Sequence, residues 1–160
     1  MEIRISYFED GSIKIREWLH DGKLHHMDAP AKIEYFNDQN IKREEWYNNG
    51  ELMKKIIYFR NRVVRGIFTY RNGVFNKEKG PAFIIFFKNG LVSEEIWLLN
   101  GKLHRIGGPA MSGWRFDGSL WYERWAENDK LHRIGNPAQI FYYGKNVIRE
   151  YWNMGRKLLL

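Results

Sequence analysis

At 160 residues and 19.3 kDa the chain is one domain by length, and an apolar content of 44% excludes a disordered tail. It has no cysteine, which excludes a disulfide framework, a thiolate metal site and a cysteine nucleophile. The net charge of +7 predicts attraction to phosphates, and a 16% share of aromatic residues favours strands, where flat rings pack well on a pleated surface.

Residues 1–8 alternate charged with apolar and contain no long apolar run, so neither a signal peptide nor a membrane span is read there. With the missing cysteines this predicts a soluble protein in an intracellular, reducing compartment. Glu9-Asp10-Gly11-Ser12 then supplies the residues of a tight hairpin turn, as do Lys88-Asn89-Gly90 and Phe116-Asp117-Gly118-Ser119 further on.

Residues 22–31 (GKLHHMDAPA), 73–82 (GVFNKEKGPA), 101–110 (GKLHRIGGPA) and 129–138 (DKLHRIGNPA) align without gaps. Their prolines, Pro30, Pro81, Pro109 and Pro137, are separated by 51, 28 and 28 residues. The long step divides into 28 and 23, which places a shortened copy at Asn49-Gly50-Glu51-Leu52 that runs straight into the next strand. Trp18, Trp46, Trp97, Trp125 and Trp152 keep the same register, with Thr69 or Tyr70 in the corresponding place of the third unit.

Residues 41–46 and 92–97 alternate with period two, which puts Trp46 on a face with Glu44 and Trp97 with Glu95; Glu123 and Trp125, and Glu150 and Trp152, repeat the pattern. The reading is an all-β chain: a single repeat domain over residues 1–160 of about six antiparallel hairpins, period 28 with one unit of 23, in an elongated, twisted, single-layer open sheet. Aromatic rings laddered along one face, each packing on the unit before, are expected to replace a core.

The Asn-Gly-Lys-Leu-His-Arg turn followed by an aromatic strand resembles the MORN (membrane-occupation-and-recognition-nexus) repeat over nearly the whole chain. The matching positions are Gly22, Lys23, Leu24 and His25, then Gly101, Lys102, Leu103 and His104, then Lys130, Leu131 and His132. The long form with Gly-Pro-Ala is similar to arrays found in large DNA viruses of amoebae, which implies host cytoplasm or the virion as the location. The resemblance implies a scaffold, a dimeriser or a surface for protein and sometimes phospholipid contact, without a catalytic site or cofactor. The period of 28 departs from the family's usual one near 23, so the inserted loop is expected to cover a face or edge.

Three chemistries compete on the residues themselves. A metal site is disfavoured because successive hairpins stand about 10 Å apart, too far for His104 and His132 to share an ion. Glu95, Glu123 and Glu150 fall near the separation of paired glycosidase carboxylates, but a repeat produces that spacing anyway and cross-strand charge pairing accounts for them. The turns would align Lys23, His25, Lys102, His104, Arg105, Lys130, His132 and Arg133 as a basic ridge for a polyanion, nucleic acid or anionic membrane, or for a protein partner. Against this, the turn recurs because the hairpin needs it, with Leu103 and Leu131 buried and the long stems covering apolar surface. Finally, Leu158, Leu159 and Leu160 predict a homodimer contact or a folded-back cap. The first function expected is therefore a non-enzymatic scaffold for self-association or protein binding, with polyanion binding as its rival and no small-molecule substrate.

Overall fold

The structure, a computed structural model, describes residues 1–76 and 79–159; Leu160 lies outside them. Every described element is a strand. The first three hairpin units contain β1 (Glu2–Tyr7), β2 (Ile13–His20), β3 (Lys23–Leu24), β4 (Lys32–Tyr35), β5 (Ile41–Asn48), β6 (Glu51–Tyr58), β7 (Val64–Arg71) and β8 (Val74–Phe75). The next two contain β9 (Phe83–Phe86), β10 (Val92–Ile96), β11 (Leu98–Leu99), β12 (Lys102–Leu103), β13 (Met111–Trp114), β14 (Leu120–Arg124), β15 (Ala126–Glu127) and β16 (Lys130–Leu131). The last contains β17 (Gln139–Tyr143), β18 (Asn146–Asn153) and β19 (Arg156–Leu158).

The strands form a large antiparallel sheet in sequence order, β1-β2-β4-β5-β6-β7-β9-β10-β13-β14-β17-β18-β19, that does not close on itself. Within a unit the outgoing and returning strands meet through a three-residue turn. Phe8, Phe36, Phe59, Phe87 and Arg115 open these turns, and Gly11, Gln39, Arg62, Gly90 and Gly118 take the left-handed position with φ from 60° to 85°. Asp10, Asp38, Asn61, Asn89 and Asp117 accept the amide two residues on, a local side-chain turn. The Ser12 hydroxyl and amide hold the Asp10 carboxyl below its usual range, as Ser119 does for Asp117. Each of these five hairpins also bulges one residue out of the returning strand: Lys14, Lys42, Arg65, Ser93 and Trp121.

The sixth hairpin differs. Its turn joins Tyr143 to Asn146 through Gly144 and Lys145 alone and β18 has no bulge, so two residues present in unit five are missing. Losing the bulge reverses the alternation. Tyr151 therefore takes the position of Trp125, while Trp152 faces the other side of the sheet with Glu150 and Gln139. The sequence register for Trp152 and for the Glu150 end of the carboxylate ladder is corrected accordingly. In the third unit the tryptophan position falls on Thr69, whose amide donates to Ala82 as those of Trp97 and Trp125 donate to Ala110 and Ala138.

One layer offers little interior. Among the described residues no large side chain is fully buried, and Ala31, Ala82, Ala110, Ala126 and Ala138, at 0–1% exposure, are the most enclosed apolar groups. Each face is instead packed laterally. On the side opposite Trp125, Tyr122 lies against Gly113 and touches Phe141, and Phe68, Phe75 and Phe83 form a second ring cluster. Glu17 and Lys32 pair at 2.6 Å on that side, and Arg43 meets Glu34 at 2.8 Å. The tyrosine hydroxyls of 47, 58 and 122 donate to Glu45, Glu44 and Glu94.

Two outcomes follow from this packing. A Cβ at residue 113 would enter the Tyr122 ring, so Gly113→Ala should lower stability by about 1–3 kcal/mol in a urea titration, unlike Gly11→Ala, where the constraint is φ alone. Burial, reinforced by the Glu45 charge, pushes the Tyr47 hydroxyl up to about 12, and burial with the Glu44 and Glu94 hydrogen bonds raises Tyr58 and Tyr122 further. Folded values above the unfolded value near 10 mean that this stabilisation is complete below pH 10 and is lost as the pH rises through the folded values. Phenolate absorbance should show these tyrosines among the last of the nine to ionise, coincident with alkaline unfolding.

Candidate functional site

The three Lys-Leu-His segments and their counterparts in the other three units lie along one edge of the sheet. Each follows a two-residue turn with positive φ at both positions: Asp21-Gly22, Asn49-Gly50, Asn72-Gly73, Asn100-Gly101, Asn128-Asp129 and Met154-Gly155. The turns are stitched to one another. The amides of Gly50, Gly101, Asp129 and Gly155 donate to the carbonyls of Leu24, Phe75, Leu103 and Leu131 in the preceding unit, at 2.8–3.0 Å.

The ridge histidines serve the same stitching. Nδ1 of His25 accepts the Asn49 amide at 3.1 Å, His104 that of Asn128 at 3.3 Å, and His132 that of Met154 at 3.4 Å. Each imidazole thus satisfies an amide at the turn of the next unit. In unit three Asn76 stands in the histidine's place, buried, and donates to the Asn100 side chain.

The ridge arginines are likewise engaged. The Arg105 guanidinium lies 3.8 Å from the Trp97 ring centre and donates to the Pro109 carbonyl, and Arg133 lies 3.6 Å from Trp125 and donates to Pro137. Each is the residue eight positions after its tryptophan. At that offset Lys54 sits 4.5 Å over Trp46, and His26 meets Trp18 edge-on at 6.0 Å. Trp152, though inverted, has Lys157 at 5.7 Å. The tryptophans therefore do not pack ring on ring from unit to unit as the sequence reading expected; a planar or cationic side chain covers each, and the guanidinium also closes the Gly-Pro-Ala loop.

Lys23, Lys102 and Lys130 complete the ridge and are exposed. The stems of Lys23 and Lys130 lie on the turn glycines Gly50 and Gly155 of the next unit. Leu103 and Leu131 are half-buried rather than buried. Lys102 and Lys130 stand one unit apart, about 10 Å along the sheet.

What the loops present outward is apolar. Met27, Ile106 and Ile134, each two residues after a ridge histidine, are 84%, 81% and 84% exposed. An apolar side chain at one offset in three of the four loops, followed there only by Gly, Ala, Asn, Asp and Pro, was a legible signal that the sequence reading passed over. Beside one tip an open groove of about 560 Å³ is lined by Lys79, Trp97, Leu99 and Ile106.

Glu123, for which charge pairing was expected, accepts the Tyr142 hydroxyl at 2.8 Å, as Glu44 accepts that of Tyr58. Glu150 does pair with Lys157, whose ammonium holds its carboxyl below the usual range. Among the described residues no three His, Asp or Glu gather as metal ligands, and no helix is long and apolar enough to cross a membrane. At the C-terminal edge Leu158 folds back in β19 opposite Tyr151, Leu159 is 96% exposed, and the expectation for Leu160 falls outside the described residues.

Replacing Arg105 or Arg133 by alanine should destabilise the fold by about 1–2 kcal/mol and alter tryptophan emission, because ring cover and loop bond are lost together. Lys102→Ala and Lys130→Ala should cost less than about 0.5 kcal/mol in the same urea titration.

Compared with known proteins, the chain matches no family model, and no curated protein matches it.

Proposed function

We propose that the chain is a non-enzymatic, MORN-like repeat scaffold that works by contact with protein, either a second copy of itself or another chain. The carrying observation is the division of labour in the repeated segment. Its imidazoles and guanidinium groups bond to the repeat's own backbone, while Met27, Ile106 and Ile134 point away from it at more than 80% exposure. Exposed apolar groups on a sheet edge, two of them on adjacent units, gain most from a partner that removes them from water. The Gly-Pro-Ala loop then has a plain purpose, since it holds each tip clear of the sheet.

Polyanion binding through the same edge would fall to Lys23, Lys102 and Lys130. Ionic strength separates the readings, because phosphate binding weakens steeply with salt and an apolar protein contact does not. Light scattering from low to high salt, with and without DNA or anionic vesicles, should show a mass above one chain that is indifferent to salt and to both additives. A single-chain mass that rises only with DNA or vesicles at low salt would replace the scaffold with the lysine edge as the working site.

A further inference from the structure

The sheet has two open edges among the described residues: the outer side of β1, and the outer side of β18 over Asn146–Glu150, beyond the reach of β19. These edges are the two halves of a junction that the fold already makes five times. At each internal junction a returning strand receives the outgoing strand of the next unit in one fixed register. One position on the face opposite Trp125 meets its counterpart in every junction: Glu17 opposite Lys32 and Glu45 opposite Lys55, of opposite charge, Phe68 opposite Phe83 and Ile96 opposite Met111, both apolar, and Arg124 opposite Gln139. The first of these is an ion pair at 2.6 Å and the third a ring pair at 5.3 Å.

In that register the free returning strand β18 offers Glu150, whose carboxylate Lys157 holds at 2.6 Å within the chain and would share with the incoming cation, and the free outgoing strand β1 offers Arg4. Exposure at equivalent positions points the same way. Ile148 is 51% exposed where Tyr122 is 6%, Ile5 is 37% where Ile140 is 8%, and Ile3 is 57% where Ala138 is 0%. Side chains of the kind that internal junctions bury are left in water at both ends.

We propose that a second copy of this chain docks its β1 on β18, head to tail, so that Arg4 of one copy meets Glu150 of the other and the sheet continues across the boundary. This rests on the self-association half of the proposed function and gives it a geometry. The contact joins two different surfaces, so it does not close on a two-fold axis, and association proceeds beyond the dimer. Arg4 is free to engage: its present partner, Glu2, is 3.5 Å away, and both side chains are 61% exposed.

Sedimentation velocity of the 160-residue chain over a concentration series tests this. A series of species larger than the dimer is expected. Arg4→Glu and Glu150→Lys should each raise the concentration for half-assembly by roughly tenfold or more. Mixing the two variants should restore assembly, and so should the double variant, because charge is again opposed at every junction; a merely misfolded edge would not be rescued. Loss with Arg4→Glu alone would indicate β1 pairing with β1 and overturn the proposal, as would failure of both rescues. Assembly untouched by these variants but abolished by Ile106→Asn with Ile134→Asn would overturn the junction and leave the protein-binding function standing. A single-chain mass at every concentration would overturn the junction and self-association together.

Discussion

A sheet one layer thick has two faces and no interior, and a large ring it carries is shielded from water only by something attached to the sheet itself. Much of the repeat answers that constraint. The loop that lengthens the unit brings Arg105 onto Trp97 and Arg133 onto Trp125, and the same guanidinium ties the loop's proline carbonyl. Where unit two lacks the loop, Lys54 reaches the Trp46 ring from the adjoining strand. A cation over an indole face contributes about 0.5–2 kcal/mol, modest singly but repeated along the array.

The second consequence is that cohesion is lateral and nearest-neighbour. Both long edges carry ties between successive units. On one, turn amides bond to the previous unit's carbonyls and imidazoles; on the other, the Asn61 and Asn89 side chains donate to Lys88 and Phe116 carbonyls. The two edges use different chemistry for one purpose, and between them they hold the hairpins in register.

The consecutive antiparallel hairpins of the open sheet were legible because turn chemistry and alternation are local and recur along the chain. The fate of Trp152 was not, although its spacing of 27 from Trp125 departed from 28. Deleting a bulged residue inverts every side chain beyond it, and spacing between tryptophans does not say where in the hairpin a residue has gone. The partners of the tryptophans were hidden for another reason: Arg105 is near Trp97 in sequence, yet only the closed loop shows that the guanidinium turns inward instead of joining Lys102 in solvent. Composition advertises charge; it does not say which charges are already spoken for.

The shortened unit has a kinetic meaning as well. With no loop between them, β5 runs through its turn directly into β6, and the ladder extends from Arg43 opposite Ile57 to Asn48 opposite Glu51, whereas the junctions that carry loops pair only three residues on each strand. Closing a hairpin through a two-residue turn costs less chain entropy than closing one across an inserted loop. The β5–β6 pair is thus the natural place for the first persistent structure, from which hairpins add in both directions, and the amides of β5 and β6 belong to the part of the molecule that opens least often.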